Sequence, residues 1–152
     1  MKRIGIKTKI GWVTAFEENN KIFKIKFGKY TKQTNTKVLK NFKKNLLKYF
    51  QNNTNYIKAN YVLIGNNIQK KIWNEMKKIK NGQTKSYGQL AKKFNLSPRH
   101  VGRICAQNKL PLIIPCHRVI RSDGGMGGFS AAGGIKLKRK ILEFEKEREN
   151  LN

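Results

Sequence analysis

Acidic residues, cysteines and long hydrophobic runs are all scarce in this chain of 152 residues. It has eight Asp and Glu against 34 Lys and Arg, and only two cysteines. No stretch of 18 uncharged apolar residues occurs, which excludes a transmembrane helix. Lysines interrupt the apolar residues at the N-terminus, so the sequence offers no signal-peptide core. We therefore expect a cytoplasmic location, where the redox conditions argue against a disulfide between Cys105 and Cys116.

The excess of basic residues indicates the kind of partner. A net charge of +26 attracts polyanions whatever its origin, so nucleic acid is the partner that the composition favours. Enrichment in Lys, Asn and Ile is also what an AT-biased coding sequence would produce, and solvated lysine surfaces are the alternative explanation. The length corresponds to one domain, or to two small lobes that share a core.

Residues 1–65 predict a small α/β lobe. Segments 10–17 and 22–28 are rich in β-forming residues, and the second alternates apolar residues with lysine. The Asn-Asn pair between them tolerates positive φ, so the pattern predicts a β-hairpin with one buried face. The apolar spacing over residues 36–51 predicts an amphipathic helix whose other face carries lysine.

Residues 66–152 predict a helical lobe, which the polar and then extended segment 52–65 links to the first. Periodic apolar residues predict a helix over residues 67–79. Further on, Ser86 opens a second helix with a capping box, and Ser97 caps a third helix that has proline at its first position.

The second and third of these helices are short and joined by a tight turn, and the third exposes Arg99 and Arg103. This arrangement is typical of a helix-turn-helix, although an ordinary helical hairpin with a basic surface fits equally well. Beyond it, the sequence predicts an extended apolar connection over residues 108–115, a glycine-rich surface loop over 121–134 and a last helix over 135–149. The predicted fold class is α+β.

Residues 114–119 read Ile-Pro-Cys-His-Arg-Val, which places Cys116 directly before His117, one of only two histidines. An imidazole and a guanidinium beside a thiol favour the thiolate, the form of cysteine that attacks carbon. In so basic a chain, this suggests a nucleophile that acts on nucleic acid. The residues alone leave open that Cys116 is an inert buried thiol, as free cysteines often are.

In its context this motif resembles that of the O6-alkylguanine-DNA alkyltransferases, the methylated-DNA–protein-cysteine methyltransferases. Pro-Cys-His-Arg-Val is preceded by Asn-x-x-Pro-x-x-Ile and followed by a glycine-rich loop and a helix ending in Glu, and the match runs from about Ile68 to Glu147. The resemblance implies direct reversal of DNA damage. An alkyl (methyl) group moves from O6 of guanine, or from O4 of thymine, to Cys116 after the base is flipped out of the duplex.

The resemblance also implies several properties of the whole protein. The transfer is irreversible and happens once per molecule, because thiols do not reverse the thioether product. The protein is a monomer that binds double-stranded DNA containing O6-alkylguanine, is nucleoid-associated, and uses no cofactor or metal for the transfer. Its C-terminal helical lobe carries a winged helix-turn-helix, next to a small N-terminal sheet-and-helix lobe.

Four catalytic residues are implied by the same resemblance. Cys116 is the nucleophile, and His117 is a base that takes the thiol proton through a water. Glu145 holds His117 in the useful tautomer, as in other relays of cysteine, histidine and carboxylate. Glu143, in the same helix, is the competing candidate for this role. Asn108 resembles the hinge asparagine that joins the recognition helix to the cysteine strand.

A second set of residues is implied to hold the base and the DNA. Tyr87 resembles the tyrosine that hydrogen-bonds the base and crowds its phosphate. Val119 would offer a carbonyl to the exocyclic amine, and Ser130 an N–H group to O6. Arg99 resembles the arginine that fills the space left by the flipped base. The remaining expected DNA contacts, in the minor groove, are those of Gly102, Arg103 and Arg118.

The sequence also departs from the family pattern. The segment between Tyr87 and Arg99 is shorter than usual, Ala131-Ala132 looks like an insertion, and Phe129 stands where tyrosine is common. Two other functions are considered: a relative that recognises lesions and recruits excision repair, and a transcriptional regulator. The first typically has tryptophan in place of the cysteine, and the second leaves the Cys-His pair unexplained. The preferred alkyl group, the preferred base and the role of the N-terminal lobe stay open.

Overall fold

A three-stranded antiparallel sheet in the order β1-β2-β3 begins the chain, and helices follow it. The computed structural model describes residues 1–52, 54–127 and 134–151. Within these ranges the elements are β1 Lys2–Thr8, β2 Gly11–Glu18, β3 Lys21–Phe27, α1 Lys37–Asn52, α2 Asn67–Met76, β4 Lys85–Ser86, α3 Tyr87–Phe94, α4 Pro98–Ala106, a 3-10 turn Cys116–Arg118, β5 Val119–Ile120 and α5 Gly134–Leu151. This mixture of sheet and helices confirms the predicted α+β class.

Strands β2 and β3 form the predicted hairpin. Asn19 and Asn20 turn the chain with φ angles of 51° and 62°, a conformation that asparagine adopts more readily than most residues. The sequence does not predict β1, because only Ile4 and Ile6 mark its buried side. The strand forms because β2 pairs with it along its whole length.

Helix α1 packs against the sheet and covers one of its faces. Leu39, Phe42 and Leu46 are buried on the inner side of the helix, and the lysines of α1 are exposed. The predicted amphipathic helix is therefore confirmed. None of the helices in the described ranges is both long enough and apolar enough to cross a membrane.

Helices α3 and α4 begin as the sequence predicts. Ser86 Oγ accepts a hydrogen bond from the Gln89 N–H, and the Gln89 side chain accepts one from the Ser86 N–H. Asn95 ends α3 in the left-handed conformation, with φ of 55°. Ser97 caps α4 by accepting from the His100 N–H at 3.1 Å. The two helices are joined by a tight turn, and the winged helix-turn-helix stays a prediction.

Two segments differ from their predictions. Helix α2 ends at Met76, because the Ile79 N–H bonds to the Met76 carbonyl three residues back and the chain tightens into turns. Residues 108–115 are not extended, because the Ile114 N–H donates to the Leu110 carbonyl at 2.8 Å and Leu112 has φ of 74°. This turn is made of buried apolar residues, so it lacks the Gly, Asn and Asp that usually mark a turn.

Both halves of the chain contribute to one hydrophobic core. Beside β3, the Ile22 N–H donates to the Asn60 carbonyl at 2.9 Å and the Val62 N–H donates to the Ile22 carbonyl at 3.0 Å. Further along β3, the Ile25 N–H donates to the carbonyl of Lys109 at 2.9 Å. The bond between Ile25 and Lys109 thus joins the segments on either side of residue 65, and the domain boundary there stays a prediction.

Candidate active site around Cys116

Cys116 begins the 3-10 turn that follows the apolar turn, and its side chain is buried. Its N–H donates to the Ile114 carbonyl at 2.7 Å, which fixes the backbone at this point. Burial raises the pKa of the thiol, while a hydrogen bond from Asn108 and the positive charge of Lys138 act in the opposite direction. Backbone hydrogen bonds at Cys116 and His117 act in the same direction as these two groups, so all of them favour a thiolate.

Asn108 connects the end of α4 to the turn before Cys116. Its Nδ2 donates to the Ile114 carbonyl at 2.9 Å, and its Oδ1 accepts from the Leu110 N–H at 2.9 Å. Its own N–H donates to the Cys105 carbonyl at 3.2 Å. The Asn108 side chain thus ties the turn, at Leu110 and Ile114, to the end of α4. A hinge residue would lie at this position.

The second cysteine has a different environment. Cys105 is buried in α4, where its sulfur lies 3.5 Å from the sulfur of Met76. Burial, with the nearby Cys116, raises the pKa of Cys105 to about 12. Both cysteines are free thiols, so Cys105 serves as a natural comparison for Cys116.

His117 lies beside the carboxylate of Glu145, and both side chains are buried. Its Nε2 lies 3.0 Å from Glu145 Oε1, and neither Nε2 nor Nδ1 makes a hydrogen bond of good geometry with the described residues. Glu143 is exposed on the same helix. Of the two candidate carboxylates, Glu145 is therefore the one that contacts the histidine.

The charges in this cluster are set by burial and by their neighbours. Burial lowers the pKa of His117, against the opposing charge of Glu145, and we take the imidazole as neutral near pH 7. Burial would raise the pKa of Glu145, but His117 and the Arg118 guanidinium outweigh it and hold that pKa far below its usual value. The site thus combines a neutral base with an ionised carboxylate.

The predicted DNA contact of Arg118 is wrong. Its side chain is 2% exposed, and its Nε and Nη2 donate to Glu145 at 3.0 and 2.6 Å. Its Nη1 donates to the carbonyls of Asn55 and Ile79 at 2.9 and 2.7 Å. All three guanidinium nitrogens are used inside the protein, so Arg118 stabilises the carboxylate and cannot reach a phosphate.

Tyr49, on α1, is part of the same cluster. Its hydroxyl donates to Glu145 Oε2 at 2.6 Å. Sequence reasoning missed this contact, because 96 residues separate the partners and a tyrosine on the inner face of an amphipathic helix resembles ordinary core.

Lys138 is a second missed residue. It is fully buried on α5, and its Nζ donates to the carbonyls of Val119 and Met126 at 2.7 and 2.5 Å and to the Tyr87 hydroxyl at 3.1 Å. Burial lowers its pKa. A signal was available, since Lys138 shares its helical face with Ile141 and Glu145, three and seven positions later.

Tyr87 and Val119 meet around this lysine, and their base-binding role stays a prediction. The Val119 carbonyl has two lone pairs, so one stays free for a ligand beside the bond from Lys138. A Cβ on Gly127 would lie 2.7 Å from the Tyr87 ring, so glycine is needed there. Burial raises the pKa of Tyr87 to about 12. Ser130, the third predicted base-binding residue, lies outside the described residues.

The predicted DNA-binding residues of α4 lie on its outer side. Arg99 and Arg103 are exposed, and Gly102 is half-buried. No atom lies within 4 Å of the place that a Cβ on Gly102 would occupy. The inner side of α4 carries Val101 and Ile104, both buried. The helix therefore presents two cations and a flat glycine to the outside.

The sequence of the chain is similar to those of known proteins. The family model described as "6-O-methylguanine DNA methyltransferase, DNA binding domain" matches residues 67–147, just over half of the chain. The methylated-DNA–protein-cysteine methyltransferase of Methanocaldococcus vulcanius is 50% identical over 91 residues, which are 60% of this chain and 55% of that protein. The protein of the same name from Metallosphaera sedula is 35% identical over 139 residues, 89% of this chain and 86% of that protein.

The fold has known relatives as well. The chain is similar to the crystal structure of Mycobacterium tuberculosis OGT in complex with DNA, with a TM-score of 0.82 and 27% identity. That similarity covers 97% of this chain and 94% of the other. Both halves of the chain are therefore included in the structural match, whereas the sequence match to the Methanocaldococcus protein spans little more than half of that relative.

Proposed function

This chain belongs to the 6-O-methylguanine DNA methyltransferase family, and from this premise we propose that it repairs DNA by direct reversal. It transfers an alkyl (methyl) group from O6 of guanine in duplex DNA to its own Cys116, after flipping the base out of the helix. Each molecule acts once, because the thioether that forms does not release the group again.

The proposed transfer is a single displacement. The sulfur of Cys116 bonds to the alkyl carbon as the bond from that carbon to O6 breaks. The thiol proton passes to His117 through a water, and the departing guanine takes up one proton, so thiol and O6-methylguanine become thioether and guanine. The ionised Glu145 stabilises the imidazolium that forms meanwhile.

One observation carries the proposal: the buried Cys116 directly precedes a buried histidine that lies 3.0 Å from a buried carboxylate. Burying a carboxylate is costly, even when a cation pairs with it. Perturbed ionisable groups of this kind cluster at functional sites. A regulator that used only its DNA-binding helices would have no use for this arrangement.

Double-stranded DNA containing O6-alkylguanine is the proposed partner. Arg99 would enter the duplex and fill the space left by the flipped base, while Arg103 would contact the backbone. The open space beside Gly102 would let α4 approach the minor groove closely. We further propose that the protein acts as a monomer in association with the nucleoid.

The flipped base would be held next to Lys138. Tyr87 would hydrogen-bond the base, and the Val119 carbonyl would accept from its exocyclic amine. The N–H of Ser130 would bond to O6 and stabilise the negative charge that develops there. Lys138 supports this role, since its ammonium group fixes both the tyrosine hydroxyl and the valine carbonyl.

Mass spectrometry tests the proposal, after the protein is mixed with a duplex that contains O6-methylguanine. We expect one methyl group on the peptide with Cys116, saturating at one per protein. Cys116→Ala should bind the duplex and gain no methyl group, whereas the matched control Cys105→Ala should be methylated like wild type. Tight lesion binding by an unmodified wild-type protein would indicate damage recognition instead, and indifference to the lesion would indicate only a basic DNA-binding fold.

A further inference from the structure

A single carboxylate connects the N-terminal lobe to the proposed base. The Tyr49 side chain is 1% exposed, and its hydroxyl donates to Glu145 Oε2 at 2.6 Å. The other oxygen, Oε1, faces His117 Nε2 at 3.0 Å. Arg118 contacts both oxygens. The orientation of the carboxylate is thus fixed by donors from two different parts of the fold.

We propose that Tyr49 is a positioning residue for alkyl transfer, which holds the carboxylate of Glu145 in the orientation that fixes His117. This inference rests on the proposed function and adds a role for the N-terminal lobe. In this role the lobe acts on the rate of the chemical step through Glu145, and its action does not depend on DNA binding.

Packing accounts for the ring of Tyr49 but not for its hydroxyl. The ring centroid lies 4.9 Å from that of Phe50 and 5.8 Å from that of Phe144, and a phenylalanine ring would fill the same space. A buried hydroxyl costs free energy unless it is hydrogen-bonded. Burial and the charge of Glu145 raise the pKa of Tyr49 well above its usual value, so the hydroxyl remains a donor around neutral pH.

Loss of this donor should change the proton affinity of His117. The charged groups that act on the imidazole are Glu145 and Lys138 from α5 and Arg118 from its own turn. Without the Tyr49 hydroxyl, less of the carboxylate charge is shared with donors, and more of it acts on the imidazole. The imidazolium is then favoured, so a higher pH is needed to obtain the neutral base.

The test compares rate constants of methyl transfer under single-turnover conditions across the pH range in which histidine titrates. Tyr49→Phe keeps the ring and removes only the hydroxyl. We expect a rate constant about tenfold lower near neutral pH, because a hydrogen bond to a charged group is lost. We also expect the acidic limb of the pH profile, where the rate constant falls at low pH, to move to higher pH. DNA affinity and the final number of methyl groups per protein should not change.

A matched control removes a tyrosine hydroxyl from another place in the same half of the chain. The Tyr61 hydroxyl bonds to Lys77 and not to Glu145, so Tyr61→Phe should keep the wild-type rate and the wild-type pH profile. A double-mutant cycle adds the second control. Tyr49→Phe should slow transfer much less in a Glu145→Gln background, because its effect passes through that carboxylate.

Several outcomes would overturn the inference. If Tyr49 served only the packing of the fold, Tyr49→Phe would lower the final number of methyl groups per protein, because that number reports the folded fraction. The acidic limb of the pH profile would then stay in place. A wild-type rate and pH profile for Tyr49→Phe, or equal losses in both backgrounds of the cycle, would also reject it. If wild-type protein itself gains no methyl group on Cys116, the proposed function has failed. If wild-type protein is methylated and the Tyr49→Phe results differ from those expected, only this inference has failed.

Discussion

The two halves of this protein bury different kinds of side chain. Of the described residues in 1–65, the buried polar ones are Thr14 and Glu17, whereas the rest of the described chain buries Asn81, His117, Arg118, Lys138 and Glu145. Burying a charge is unfavourable unless it is paired and hydrogen-bonded. Among the described residues, the first half buries one acidic or basic side chain, Glu17, whereas the second half buries four where its chemistry is proposed to occur. The contrast teaches that buried charge is concentrated around the candidate site.

The halves meet at one of these buried charges. Tyr49 from the first half and Arg118 from the second both donate to Glu145, and Arg118 also donates to the carbonyl of Asn55 in the first half. The difference between the halves is therefore testable, because substitutions in the charged cluster should affect both stability and transfer, and substitutions in the apolar core should affect stability alone.

Glu145→Gln should have the largest effect. It leaves the buried guanidinium of Arg118 without its anion, which costs about 3 kcal/mol of unfolding free energy, and it should slow transfer about 100-fold by weakening the proposed base. Urea denaturation and single-turnover kinetics measure the two effects. The matched control is Glu143→Gln, which changes an exposed carboxylate and should alter stability by less than about 0.5 kcal/mol; equal effects of both variants would contradict the assignment.

Lys138→Met should come next. The variant keeps the length of the side chain but removes the donor from the Val119 and Met126 carbonyls. The free energy of unfolding should fall by about 1–2 kcal/mol, because the lost hydrogen bonds are partly offset by no longer burying a charge. It should also raise the pKa of Cys116, and each unit of that rise lowers the thiolate fraction about tenfold. Thiolate absorbance measured against pH reports the shift. The exposed Lys140→Met on the same helix is the control, and a thiolate titration equal to wild type in Lys138→Met would contradict the role.

Acid should destabilise the protein through the same cluster. The folded-state pKa of His117 is lowered, so below about pH 6.5 the unfolded chain binds the extra proton and folding stability falls. The pKa of Glu145 is also lowered, so its contribution is present above about pH 4.3 and is lost as the pH falls further. Urea denaturation should show a slope of up to about 1.4 kcal/mol per pH unit, and His117→Asn should flatten it just below about pH 6.5.

Ile25→Val should have the smallest effect and should separate the two halves. Ile25 is 4% exposed on β3, and loss of one methylene from an apolar core costs about 1 kcal/mol. The rate constant of transfer should equal that of wild type, because no atom of the charged cluster changes. Denaturation and single-turnover kinetics on the same preparation check both statements, and a slower rate constant would show that the apolar half acts on chemistry more widely than through Tyr49.

Much of the fold could be predicted because it depends on neighbours in the sequence. The β2–β3 hairpin follows from alternation and its Asn-Asn turn, and the starts of α3 and α4 follow from the caps at Ser86 and Ser97. Strand β1 and the turn within residues 108–115 could not be predicted, because the first requires its partner strand and the second consists of apolar residues that only tertiary packing buries.

The candidate site divides in the same way. The sequence shows that Cys116 and His117 are adjacent and how far along the chain Glu145 follows. The structure brings the side chains of His117 and Glu145 together. The role of Arg118 was predicted wrongly, because its position in the motif does not reveal that its guanidinium points inward. Ser130 stays a prediction, as do the DNA contacts of Arg99 and Arg103.

The sequence by itself therefore determined the class of protein, the local elements and the central Cys-His pair, since each depends on residue types at short, fixed spacings. Only the tertiary structure decided which charged residues lie inside. The chain has 34 lysines and arginines. Of those whose burial the structure describes, Lys138 and Arg118 are the buried ones, because long-range packing removes them from water. The link from Tyr49 to Glu145 has the same origin, because α1 and α5 come together only when the chain folds.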